Sequence, residues 1–346
     1  MSSLLLDTIN GKQCSRRPVW FMRQAGRYLP DYKAVRAKAG NFMTLCQSPE
    51  MASEVTCQPV EILGVDAAII FSDILVIPVA AGMELNFVEG EGPQFKTPLP
   101  QCGLKDYNSK NSLSYVYEAI KASVRRLPTN IPLIGFCGSP WTLFAYMVQG
   151  SGSKDFSKAK SLLWSDPTFS QNTIDFLTNK IIEHLELQVE AGAKVVQVFD
   201  TWGGLLDTQD YRQFCFKPMK KISTYFALKQ IPVVLFTKGS GSYLSELSKT
   251  GAPILGVDWT VSLDKARKIV GEDTVLQGNL DPIALCSSKE LMQNKLKKLL
   301  LDHGPKGRHI VNLGHGVTPQ ANLETVKSFV YSAQEMSERL MAGELK

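Results

Sequence analysis

The sequence predicts an α/β fold, a single (β/α)8 TIM barrel with a hairpin-like excursion after the second strand. Three observations predict it. Short aliphatic or β-branched runs alternate with amphipathic helical spacings, the pattern of parallel βα units. The runs are apolar almost throughout, as strands covered on both faces must be. Eight such units fall in about 300 residues, which suits a barrel better than a doubly wound sheet, the open sheet remaining the alternative.

The expected strands are residues 19–22, 67–71, 133–137, 195–199, 233–236, 254–257, 275–277 and 310–313. Helical signals follow them. Ser48-Pro49-Glu50 supplies an N-cap and a first-turn proline, and Asp166-Pro167 opens a long helix running to about Gly192. Asp281-Pro282 repeats that pattern, and the last helix is expected over 321–341. Residues 77–111, rich in Pro, Gly and polar side chains, are too long for a simple βα loop and predict the hairpin excursion. Within it, Gly90-Glu91-Gly92-Pro93 is turn chemistry rather than a phosphate loop. Neither an internal repeat nor a Pro/Gly/Ser linker divides the chain, so one domain over 1–346 is expected.

Composition narrows the function classes. The chain has 346 residues, 44% apolar and 21% charged, enough to bury a large core. Lys and Arg number 38 against 33 Asp and Glu, a net +5 without the basic run or arm of a nucleic-acid binder, which places the positive charge inside a site. Seven scattered cysteines, with no C-x-x-C pair, predict reduced thiols and no disulfide framework. The apolar stretches have strand length, far below the ~20 residues of a membrane span. The start MSSLLLDTINGKQ lacks a charged segment followed by an apolar core, which points to the cytoplasm; plastid stroma stays open if a leader has been removed.

Residues 17–32 read RPVWFMRQAGRYLPDY, with Arg23 and Arg27 four apart around Ala25-Gly26. Each guanidinium is a planar fork for a carboxylate, and a glycine between them lets main chain approach a ligand. The alternative is a solvated basic loop. In a barrel the site lies at the carboxyl ends of the strands, and those ends carry polar residues throughout. They are Ser72-Asp73, Asp200-Thr201-Trp202, Thr237-Lys238, Asp258, Gln277, Asn279 and Gly314-His315-Gly316. Some can instead cap the following helices, the reading preferred for Asp258 and Asn279. Of the four histidines only His315 sits at the right end; His184 and His303 read as surface, and His309 opens the last strand at the opposite end. Trp20, Phe21, Met22 and Tyr32 read more readily as core than as ligand contacts. Lys238-Gly239-Ser240-Gly241 lacks the full phosphate-loop pattern.

These motifs carry a resemblance. RPVWFMRQAGRYLPDY, IIFSDIL, GFCGSPWTL, VFDTWGG and NLGHGV, in this order over nearly the whole chain, resemble the uroporphyrinogen decarboxylase family. The resemblance implies a (β/α)8 barrel, usually a homodimer, that works without metal or cofactor. It would remove the four acetate carboxyls of uroporphyrinogen III as CO2, giving coproporphyrinogen III in haem biosynthesis. It implies that Arg23, Gln24, Ala25, Gly26, Arg27 and Arg36 bind substrate, together with Asp73, Tyr146, Thr201 and His315. Asp73, Arg23, Tyr146 and His315 would be the catalytic set. Thr201 stands where some members carry serine, and TPQANLE after GHGV departs from the usual helix start.

Side-chain chemistry gives these roles content. One ionised carboxylate has about four lone-pair sites, so Asp73 could accept from the converging pyrrole N–H groups and stabilise a cation formed on the ring; its other reading is a helix N-cap. A guanidinium with a pKa above ~12 is a poor general acid, so binding is expected of Arg23 and Arg27. His315 has an ordinary pKa range suited to passing protons, unless it merely bonds a backbone carbonyl. Two other functions remain: a corrinoid-dependent methyltransferase on a similar barrel, for which no His-x-Cys zinc pair is present, and a non-catalytic tetrapyrrole carrier.

Overall fold

Seven of the eight expected apolar runs become strands of one curled parallel sheet in a computed structural model that describes residues 3–88 and 92–345. In chain order the strands are β1 (Ala68–Ile69), β2 (Leu85–Val88), β3 (Gly92–Phe95), β4 (Leu133–Gly138), β5 (Val195–Asp200), β6 (Val233–Thr237), β7 (Ile254–Gly256), β8 (Val275–Leu280) and β9 (His309–Leu313). The sheet runs β1-β4-β5-β6-β7-β8-β9, and β2 pairs with β3 as a separate antiparallel ribbon. Its strands are apolar and buried on both faces because helices cover the outside, as the near-continuous aliphatic runs require.

The first expected strand, 19–22, shortens to a single bridge, Val19 to Val311. The reason is local: Asn312 Oδ1 takes the Met22 N–H and Gln24 Oε1 takes the Phe21 N–H, so side chains replace the ladder and turn the chain away. The short segment is still tied on both sides, since Trp20 N donates to the Val311 carbonyl and Asp66 N donates to the Val19 carbonyl at 2.8 Å.

Capping explains where the helices begin. Ser48 accepts from Met51 N ahead of Pro49–Leu63, and Asp166 accepts from Phe169 N ahead of Pro167–Ala191, which stops at Gly192 with φ 127°. Asp281-Pro282 opens only a 3-10 turn, Pro282–Cys286; the helix proper is Lys289–His303, capped by Ser288. The final helix is Leu323–Met341, capped by Asn322.

The β2–β3 ribbon is fixed to the end of helix Pro140–Gln149 through Phe95 N to the Gly150 carbonyl at 2.7 Å. The turn expected around Gly90 and Glu91 lies outside the described residues. All seven cysteines are free. Among the described residues no helix is long and apolar enough to cross a membrane.

Several polar residues prove buried. Gln277 is inside the sheet, not at its rim: its Nε2 donates to Gln197 Oε1, and its Oε1 accepts from Trp20 Nε1, both at 3.2 Å. His184 and His303, expected on the surface, are also buried. Each found a partner that lets a neutral imidazole pack inside: the Tyr117 hydroxyl lies 3.0 Å from His184 Nδ1, and Arg267 Nη2 lies 3.0 Å from His303 Nε2. Trp20, Phe21, Met22 and Tyr32 are buried as well, and belong to the core.

Candidate active site

Main-chain ties aim the arginine loop. The Met22 carbonyl accepts from Val317 N at 3.1 Å, and Arg23 next takes a left-handed backbone, φ 53°, unfavourable for a residue with a side chain and held by its surroundings. Gly316 makes room: a Cβ there would lie 2.7 Å from Arg23 Cβ. Gly314 is constrained too, since its Cβ would meet Trp259 N at 2.6 Å. His315 is thus carried between two glycines that the packing demands.

Gln24, expected to bind substrate, has a buried side chain already committed to protein. Its Oε1 accepts from Phe21 N at 3.3 Å and its Nε2 donates to the Ala67 carbonyl at 3.1 Å, which leaves only main chain for a ligand. Ala25 and Gly26 are half-buried, Arg23 and Arg27 are exposed, and Arg36 is half-buried in the last turn of helix Pro30–Ala39. Arginine ion pairs among the described residues involve Arg16, Arg212 and Arg339, not these three. Unpaired guanidiniums along one loop and the next helix form a cationic rim suited to carboxylates.

Asp73 lies beyond β1, half-buried. Its Oδ1 accepts from Leu75 N at 2.8 Å, a turn-forming bond that leads into the short helix Val76–Ala80. The capping role therefore occupies one oxygen only. Oδ2 has no hydrogen bond, and the carboxyl no ion pair, among the described residues. Burial raises the Asp73 pKa, opposed by the Leu75 N–H and the Arg23 charge.

Tyr146, half-buried in helix Pro140–Gln149, packs edge-on against Phe156 at 5.5 Å and Trp202 at 6.1 Å. Burial raises its pKa, and it senses both Asp73 and Arg23, so these three groups share one region. His315 is half-buried, 6.1 Å from the Phe236 ring. Burial, with the Arg23 and Lys238 charges, lowers it to about 4. The ordinary imidazole range expected for it therefore does not hold: burial first and the neighbouring cations second keep it neutral at pH 7, a hydrogen-bonding group rather than a ready acid. Thr201 is half-buried immediately after β5.

Other strand-end residues are structural. Asp200 is fully buried and accepts from Ser139 Oγ at 2.6 Å, Thr142 Oγ1 at 3.0 Å and Thr237 Oγ1 at 3.2 Å, tying β5 to its neighbours' loops. Asp258 and Asn279 cap no helix. Asp258 holds the Gly239 and Thr260 N–H groups, and Asn279 Nδ2 donates to the Asp258 carbonyl at 2.8 Å, so both brace loops.

Sequence reasoning missed an aromatic layer. Phe136, Phe199 and Phe236 meet edge-on at 5.6 Å and 6.2 Å, and the row continues to His315. The signal was available: one aromatic stands within the last three residues of each of β4's IGFCG, β5's VQVFD and β6's VLFT. Gly256, beside Phe236 in register, leaves that ring its space, because a Cβ there would sit 3.0 Å from it. Lys238 stands among the expected polar strand ends, but the sequence assigns it no role of its own. Its ammonium lies 5.7 Å from the Trp202 ring centroid.

The family model for uroporphyrinogen decarboxylase (URO-D) matches residues 2–336. The chain belongs to the uroporphyrinogen decarboxylase family. It is 45% identical to a uroporphyrinogen decarboxylase of Ruthia magnifica subsp. Calyptogena magnifica, over 97% of this chain and 100% of that one. It is 46% identical to one of Dichelobacter nodosus, over 97% and 98%. Among solved structures, a methyltransferase from Methanosarcina mazei aligns with a TM-score of 0.82 at 21% identity, covering 97% of this chain and 99% of that one. That likeness shows the fold alone. Family membership agrees with the resemblance read from the motifs and does not favour the methyltransferase alternative.

Proposed function

We propose that the protein is a uroporphyrinogen decarboxylase, a carboxy-lyase of haem and tetrapyrrole biosynthesis that converts uroporphyrinogen III to coproporphyrinogen III. The observation that carries this reading at the site is Asp73, a half-buried carboxylate that, among the described residues, has no ion pair and lies beside a rim of arginines that have none. A polyanionic macrocycle with N–H donors at its hub matches that arrangement: carboxylates outside to Arg23, Arg27 and Arg36, pyrrole N–H groups inside to Asp73. With Oδ1 partly used by Leu75, the hub is held mainly by Oδ2 and the remaining Oδ1 lone pair.

Chemistry follows from charge. A proton added to a pyrrole ring carbon makes a cation, which Asp73 stabilises in a site screened from water. The bond to the acetate carboxylate then breaks, CO2 leaves, and its electron pair neutralises the ring as an exocyclic methylene. A proton adds to the methylene and the ring carbon returns its own, so each acetate becomes methyl with one proton consumed. Arg23 and Arg27 bind carboxylates, while Tyr146 and neutral His315 hydrogen-bond the reacting one. Ala25, Gly26 and the Gln24 main chain line the loop, and Thr201 contributes a hydroxyl.

The reading extends to one barrel domain over 1–346, closed into eight staves by the 18–20 segment, whose hydrogen bonds reach both sheet edges. It extends also to a homodimer in the cytoplasm, the bacterial relatives favouring that compartment over plastid stroma. The test supplies anaerobically reduced uroporphyrinogen with no added metal or cofactor and follows product mass. Stepwise loss of CO2, up to four, is expected. Binding without turnover would instead identify a carrier, and turnover that required a corrinoid would overturn the reading.

A further inference from the structure

Lys238 follows β6, the middle strand of the sheet, whereas the segment 18–20 that leads into the arginine loop is bonded to β9 at one edge and to Asp66, just ahead of β1, at the other. Its side chain is half-buried, and among the described residues it takes part in no ion pair and no hydrogen bond. Its ammonium faces the Trp202 ring at 5.7 Å. Trp202 Nε1 is itself buried and reaches no acceptor at full hydrogen-bond geometry among the described residues; the Tyr146 hydroxyl beside it is close enough for the indole N–H to lower its pKa. A half-buried cation that meets only a ring face and a buried indole N–H that falls short of full hydrogen-bond geometry both gain from an acceptor placed between them. The Lys238 and Arg23 charges both lower the His315 pKa, so the lysine and the arginine loop lie near the same imidazole.

Resting on the decarboxylase reading, we infer that Lys238 and the Trp202 N–H form a second carboxylate subsite, on the β5–β6 side of the mouth, that holds a substrate side chain away from the arginine loop. A macrocycle with carboxylates around its whole rim needs cations on more than one side. The Trp202 face orients the ammonium, and the N–H supplies a directional donor that a lysine alone lacks. The subsite acts on binding and not on bond breaking, so it governs KM.

Steady-state kinetics on Lys238→Gln, Lys238→Arg and Trp202→Phe, with reduced uroporphyrinogen at two salt concentrations, test this. In Lys238→Gln, KM rises about ten-fold at low salt with kcat within about two-fold, and the gap narrows at high salt. Lys238→Arg restores most of the affinity, and Trp202→Phe, which keeps the ring but lacks the N–H, raises KM by a few-fold. An unchanged KM in Lys238→Gln overturns the subsite, as does a fall in kcat alone or an equal defect in Lys238→Arg. No turnover by the unmutated protein overturns the decarboxylase reading and this inference with it, whereas turnover with unchanged variant KM overturns only the subsite.

Discussion

At Asp73 the tension between burial and charge is visible in one side chain. Burial pushes its carboxyl up, while the Leu75 N–H and Arg23 pull it down, and pyrrole N–H donors would favour the ionised form further. Replacing it with asparagine keeps the Leu75 bond available through Oδ1 but removes the charge and turns an NH2 toward the donors. Asp73→Asn should therefore lower kcat by at least ~100-fold, the scale of losing a preorganised charge at a reacting centre, with an unchanged melting temperature. Single-turnover decarboxylation measures it; near-normal turnover would remove Asp73 from the chemistry. The residue was legible because an aspartate after an apolar strand is chemically conspicuous. Its engagement with Leu75 was not, since a turn bond depends on backbone angles that the sequence does not display.

Loops and strands differ in how much of them can be read in advance. The seven sheet strands were legible because burial on both faces leaves an apolar run with no alternative use. The 19–22 run carried the same signature but became a single bridge, because Asn312 and Gln24 side chains, distant or out of register in sequence, took its N–H groups. Glycines separate packing from ligand requirements. A Cβ on Gly316 would press on Arg23 at 2.7 Å, whereas one on Gly26 would meet nothing nearer than the Tyr28 ring at 3.8 Å. Gly316→Ala should thus displace the arginine loop, costing about 1–3 kcal/mol of stability and reducing kcat/KM together. Gly26→Ala should leave the melting temperature alone and raise KM, since only a ligand approaches that main chain. Parallel thermal melts and kinetics decide it. A Gly26→Ala protein with normal KM would mean substrate stays clear of the loop.

Over the whole molecule, acid stability rests on buried histidines, two of which the sequence concealed. A helical histidine looks exposed in sequence, and only packing reveals that His184 and His303 are interior, together with His309, which opens the last strand. Burial lowers His184 and His303 to about 3 and His309 well below its usual value. At the base of the sheet, Arg17 Nη1 faces His309 Nδ1 at 3.1 Å and Arg267 Nη2 faces His303 Nε2 at 3.0 Å. Guanidinium nitrogens only donate, so both imidazoles accept there and must be neutral, their other N–H groups turning to the Gly278 and Gly304 carbonyls. A third positive charge would enter a place where burial already brings Arg17 down to about 9. Each folded-state histidine pKa lies below the unfolded 6.5, so the stability is fully present above pH 6.5 and is lost as pH falls toward the folded value. Asp73 and Asp200, raised by burial, act in the opposite direction at acid pH, so the total curve is a sum. A difference curve isolates one histidine. His184→Gln can still bond the Tyr117 hydroxyl but cannot titrate, so from pH 6 to 4 it should gain about 1.4 kcal/mol per pH unit relative to the unmutated protein, with a constant difference above pH 7.5. Denaturant unfolding of both proteins across that range measures the slope, and parallel curves would mean that His184 takes up its proton in the folded state.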